Sequence, residues 1–249
     1  MDSVHCTIHY LQLAINDGVL DQSAVNRLVK ICSAIASHLH KSSKAKEAFI
    51  DRQMEVKGVV RSKCLDLFNY VPTRWNSIYL MFERFKTLKV VVQNFLSEPY
   101  DDKGTKIQYA GQDAKLSDQE FELITKILNL LRPFFNLTKN FSSNKVSLAA
   151  VLPSIIALRD FLEKANATHV GTLRGKLLDS VNSRFFSDKN ILTTEAYTTP
   201  TLLHPKYRHV IEKCAPEHFE AAKQNLLSHL LKVSSQGDGD ASSISSMGN

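Results

Sequence analysis

Apolar residues recur at three- and four-residue spacing through most of this 249-residue chain, and only one stretch alternates with period two. That imbalance confines the chain to a mainly α-helical fold. Residues 5–16 place Leu11, Ala14 and Ile15 on one helical face, and Asp17-Gly18 predicts the stop. Asp21 is a suitable N-cap for a long helix carrying Val25, Leu28, Val29, Cys32, Ile35, Ala36 and Leu39. A further helix opens at Asn76 or Ser77 and runs to Leu96. Ser117 and Glu120 form a capping-box pattern ahead of Phe121, Ile124, Ile127, Leu128 and Leu131, a stripe that ends before Pro133. Helical patterns also cover 147–164, 169–186 and 216–232. The exception, Leu65 to Val71, predicts a short strand running into Pro72. A lone strand is not a stable unit, so either 65–71 is not a strand or the chain lacks the partners such a strand needs, and the second reading is preferred.

Composition removes several classes. With 43% hydrophobic and 22% charged residues the chain is of ordinary globular make-up, which excludes collagen-like and wholly disordered folds. No apolar run approaches the roughly 20 residues of a spanning helix, and the first residues lack a basic start and apolar core, so neither a membrane nor a secreted protein is expected. Cys6, Cys32, Cys64 and Cys214 form no C-x-x-C pair, and reduced thiols are the expectation. The net charge of +6 permits a nucleic-acid partner without requiring one. No nucleophile elbow, P-loop or dinucleotide fingerprint occurs. Residues 97–116 show no period and read as a loop, and 234–249 are expected to be disordered.

Three elements in order carry a resemblance. Thr73-Arg74-Trp75-Asn76-Ser77, continuing through Tyr79, Met81 and Arg84, resembles the T-R-W-N-S-x-Y signature of hAT-superfamily transposases and their domesticated relatives, the zinc finger BED domain-containing proteins. Cys6 to Leu13, with His9, resembles that family's C-x-x-H-x-L-x-L element. The stretch from Leu116 to Pro153 resembles the helical insertion that interrupts the catalytic domain, and Leu202 to Tyr207 more weakly resembles an L-D-P-R-Y element.

The resemblance implies a mainly α fold: a partial ribonuclease-H-like domain over 1–96, the loop 97–116, and an all-helical insertion domain over 117–233. Active relatives cut DNA with two metal ions on an Asp-Asp-Glu triad. The first two aspartates precede the C-x-x-H element in the family, and the S-x-x-x-E-R string holding the glutamate does not occur here. The expectation is therefore a non-catalytic, transposon-derived nuclear protein, with no cofactor and a divalent metal only in a full-length active relative. DNA is the expected partner; the alternative is a helical protein-interaction module, or a piece of a longer homologous chain. No oligomer is expected without the family's C-terminal dimerisation region.

Within that frame Arg74 and Trp75 are candidate DNA contacts, because an aromatic plane replaces lost base stacking and a guanidinium holds phosphate. The competing reading is that Trp75, the single tryptophan, anchors packing. Lys41, Lys44 and Lys46, with Arg52, Lys57, Arg61 and Lys63, form the densest basic stretch, either a phosphate-binding face or a solvated one. Cys6, His9, Thr73, Asn76 and Ser77 are expected to be structural. Cys6 and His9 lie one helical turn apart, yet a lone pair does not close a zinc site.

Overall fold

The computed structural model describes residues 6–19, 22–71, 74–143, 147–166, 168, 170–187 and 190–240, the last eight of these by backbone alone. Eleven α-helices follow one another among these residues: α1 Thr7–Val19, α2 Ser23–Lys41, α3 Ser43–Lys57, α4 Asn76–Thr87, α5 Lys89–Ser97, α6 Asp118–Phe141, α7 Val151–Lys164, α8 Gly171–Phe186, α9 Glu195–Leu203, α10 Val210–Cys214 and α11 Pro216–Asp240. A hairpin of β1 (Gln108–Tyr109) and β2 (Gln112–Asp113) lies between α5 and α6. The mainly α expectation therefore holds.

The two halves of the chain share one core. α1 lies along α8, α4 along α6 and α3 along α5, while α7, α8 and α9 close the C-terminal side. Phe82 and Phe85 of α4, Phe134 of α6 and Phe185 of α8 are all fully buried in it. Each such ring contributes about 1.5–3 kcal/mol by leaving water.

Several local expectations give way to tertiary contacts. Gly18 does not stop α1; the helix continues to Val19, and Gly18 is buried where α1 presses on Leu177 of α8. Pro133 does not end α6, which runs on to Phe141. Proline removes one N–H from the ladder, and the carbonyl it orphans belongs to Asn129, whose exposed position lets water replace the bond. The 97–116 segment is not structureless. Ala110 and Gly111, with φ of 52° and 77°, make the two-residue left-handed turn that a tight hairpin demands. Within the same segment the Asp101 carboxylate accepts from the Lys103 and Thr105 amides and the Thr105 hydroxyl. The tail expectation is also revised: α11 extends past Val233 to Asp240, because adding residues to a nucleated helix costs far less than starting one. Asp21 lies outside the described residues.

Residues 65–71 are extended but belong to no sheet among the described residues. Side chains take the place of a neighbouring strand. Gln53, buried in α3, accepts from the Leu65 amide at 2.9 Å and donates to its carbonyl at 3.1 Å. Arg84 donates to the Asp66 carbonyl and its guanidinium lies 4.2 Å from the Phe68 ring centroid. The His40 imidazole bonds the Leu67 carbonyl at 2.9 Å.

Candidate nucleic-acid interface

The turn that follows this extended segment is built by Ser77. Its hydroxyl accepts from the Val71 amide at 2.9 Å and reaches the carbonyls of Arg74 at 2.6 Å and Val71 at 3.1 Å. The Arg74 amide closes the same turn onto the Val71 carbonyl. A chain folded back in this way sends consecutive side chains to opposite sides: Arg74 is exposed and Trp75 buried. Ser77 thus has the structural role expected of it. Asn76 is half-buried, and its Oδ1 has no hydrogen-bond partner among the described residues. Thr73 lies outside the described residues.

Trp75 is only 3% exposed. Its indole meets Phe135 of α6 edge-on, with centroids 6.4 Å apart, and Phe135 in turn stacks on Tyr79 at 4.3 Å. A ring enclosed in this cluster offers no face to a nucleobase, so the base-stacking expectation for Trp75 is corrected to packing. Arg74 stays available, since it makes no ion pair with a described carboxylate.

The basic stretch of α2 and α3 is largely neutralised from within. Lys46 pairs with Asp66 at 3.3 Å, Arg52 with Glu98 and Glu55, and Arg61 with Glu47, while Lys57 donates to the Thr87 carbonyl. Lys41 and Lys44 remain exposed. Lys44 nevertheless faces Asp101, whose carboxyl is held below its usual range chiefly by the Thr105 amide and hydroxyl, with the Lys44 charge a lesser contribution. A face whose cations already have carboxylate neighbours has a weakened field for phosphate. Of this stretch, Lys41, Lys44 and Lys63 are what a polyanion could reach.

Cys6 and His9 are both exposed at the start of α1, so they do not pack as the family motif led one to expect. Among the described residues no three His, Cys, Asp or Glu side chains gather where they could hold a metal ion. Several carboxylates are instead committed to structural partners. Burial works to raise the Glu120 carboxyl, but the Arg27 guanidinium and the Ser117 amide and hydroxyl outweigh it and hold the pKa low. Asp17 is likewise held low by Arg184 and Ser180 against the opposing effect of burial. Asp118 is lowered by Lys89 and Gln93.

One set of residues escapes the helical reading altogether. The last third of α6, beyond Pro133, presents Asn136, Lys139 and Asn140 to solvent, in line with Asn129 and Arg132 before it. Ending the helix at Pro133 hides this stripe. The available signal is the run from Glu122 to Asp160, which holds no acidic residue between those two.

Comparison with known proteins places the chain in a family. Residues 4–130 match the family described as the ZBED1 RNase-like helical domain, about half of the chain. The chain is 24% identical over 243 residues to human (Homo sapiens) zinc finger BED domain-containing protein 4, covering 97% of this chain and 19% of that relative. It is also 25% identical over 186 residues to tpeD, named as a candidate transcriptional regulator, of Talaromyces stipitatus, covering 75% of this chain and 19% of that protein. The chain therefore spans about a fifth of the length of these relatives. No solved structure matches it. This chain belongs to the ZBED1 RNase-like helical domain family.

Proposed function

We propose that this member of the family is the helical part of a transposon-derived nuclear protein that associates with DNA and performs no strand cleavage itself. The observation that carries the reading is the 71–77 turn, where Ser77 fixes the backbone so that Arg74 points outward on a chain of net charge +6. A guanidinium held in this way can make paired hydrogen bonds to phosphate with little loss of freedom. The names of the relatives, a BED zinc finger protein and a candidate transcriptional regulator, support the same assignment. The commitment of Asp17, Asp118 and Glu120 to basic or capping partners supports the non-catalytic part, since such carboxylates are poor metal ligands. No cofactor enters this reading.

The finer fold reading is a partial ribonuclease-H-like domain. Residues 65–71 support it: the segment is extended, and its Leu65, Phe68 and Val71 side chains are exposed. A protein-interaction role remains the second reading, favoured by Leu203, Leu227, Leu230 and Leu231, which are all exposed on α9 and α11.

Anisotropy of a labelled DNA duplex, titrated with the chain at two salt concentrations, tests the first reading. Binding that weakens with salt and again with Arg74→Ala supports it; binding absent at low salt overturns it.

A further inference from the structure

The geometry points to the solvent face of α6, together with Arg74, as a docking surface for the phosphodiester backbone of duplex nucleic acid, in place of the α2–α3 basic stretch. This rests on the DNA-association reading and locates it. Asn129, Arg132, Asn136 and Lys139 follow one another at spacings of three and four, which aligns them in a single stripe along α6, and all are exposed. The opposite face, with Leu128, Leu131, Phe134 and Thr138, is buried. The stripe holds cations and amides and no carboxylate, a composition that donates hydrogen bonds to phosphate oxygens from every position.

The turn that carries Arg74 is fastened to α6 through Phe135. That ring sits between Arg132, three residues before it, and Lys139, four residues after it, and it receives the edge of Trp75, the residue next to Arg74. Trp75 thus ties the turn that carries Arg74 to the helix that carries Arg132 and Lys139. None of these three cations pairs with a described carboxylate, in contrast to Lys46, Arg52 and Arg61. On α4 the acidic residue is Glu83, more than two turns beyond Trp75.

The rings beneath the stripe indicate which nucleic acid fits. Trp75 and Tyr79 are buried and Phe135 is stacked on Tyr79, so the surface offers charge and hydrogen bonds but no free aromatic plane. Single strands gain much of their affinity from stacking on such planes, whereas a duplex presents its backbone alone.

The test compares the full chain with Arg132→Glu/Lys139→Glu, with the milder Arg132→Gln/Lys139→Gln, and with Lys41→Glu/Lys44→Glu, each checked for unchanged helicity. Affinity for a labelled duplex of arbitrary sequence is measured between about 50 and 200 mM salt, with poly-glutamate and an unlabelled single strand as competitors. The proposal expects the α6 glutamate variant to bind about tenfold or more weakly and the glutamine variant to lower the log–log salt slope by about 2. The Lys41/Lys44 variant is expected to stay within about threefold of the parent, and the duplex to outcompete the single strand. Loss through Lys41 and Lys44 with α6 substitutions silent overturns the location while leaving the DNA reading intact. Poly-glutamate that binds as well as the duplex overturns the proposal in favour of an acidic protein. A parent chain that binds no duplex at low salt overturns both.

Discussion

Gly18 of α1 and Leu177 of α8 approach so closely that a Cβ on the glycine would lie 2.7 Å from Leu177 Cδ2 and 2.9 Å from its Cγ. Leu177 is fully buried, so it has no solvent to move into. Helix propensity alone favours Gly18→Ala by about 1 kcal/mol, whereas overpacking costs about 1–3 kcal/mol. Contact should win, and urea denaturation should show a net loss. Adding Leu177→Ala should leave the double variant more stable than the two single losses summed, because the smaller side chain makes room for the Cβ. A stabilised Gly18→Ala would mean that α1 and α8 do not meet in this way.

Trp75 gives an optical readout of the α4–α6 contact. Being 3% exposed and flanked by Phe135, it should emit well to the blue of free tryptophan and resist acrylamide quenching. Duplex DNA should leave the emission nearly unchanged, since no base reaches the ring. Trp75→Ala should cost about 3–5 kcal/mol, the usual range for an aromatic truncated in a core. Red emission with ready quenching would show that the indole is open to water.

The elements legible in the sequence are those whose cause is local. α2 has an unbroken apolar stripe, and the start of α6 has its capping box, in which the Glu120 amide donates to the Ser117 hydroxyl at 3.2 Å. What escaped the sequence are residues that read as punctuation but act on distant partners. Gly18 looks like a helix end because Leu177 is invisible from its neighbourhood, and Pro133 looks like a stop because the burial of Phe134 and Thr138, which carries α6 past it, is a tertiary effect. The second case has a consequence for the site. With α6 ended at Pro133, Phe135 is unplaced, the burial of Trp75 has no partner, and Arg132 and Lys139 do not align. The exposure of Arg74 has a local cause, the bonds that Ser77 makes to Val71 and to the Arg74 carbonyl a few residues away.

Gln53 is a buried polar side chain that acts as a surrogate strand, at 1% exposure. Gln53→Ala strands both the amide and the carbonyl of Leu65 beside α3, at a cost of about 1–3 kcal/mol. Hydrogen exchange distinguishes this from a packing loss, because the Leu65 amide should lose its protection selectively. Gln53→Glu, which keeps the acceptor and lacks the donor, should preserve more of that amide protection while remaining destabilised. Equal protection of Leu65 in all three proteins would mean that the clasp does not hold the segment.

Glu120 links the cap of α6 to α2, and its acid titration should be visible in stability. Its folded pKa is held low by Arg27 and Ser117 in opposition to burial, while in the unfolded chain it returns to about 4.3. Between those two values the unfolded state binds more protons, so stability rises with pH. The contribution is complete above the unfolded value, disappears as pH falls through the folded one, and is absent below both. Glu120→Gln keeps a side chain able to serve the capping box but removes the charge, so at pH 7 it should lose about 0.5–1 kcal/mol, the range of a partly exposed ion pair. Urea midpoints of parent and variant should therefore differ at pH 7 and converge as pH falls through the lowered folded value. A gap that persists in acid would assign the effect to packing around the Ser117 cap, and the ion pair with Arg27 would then contribute nothing to holding α6 against α2.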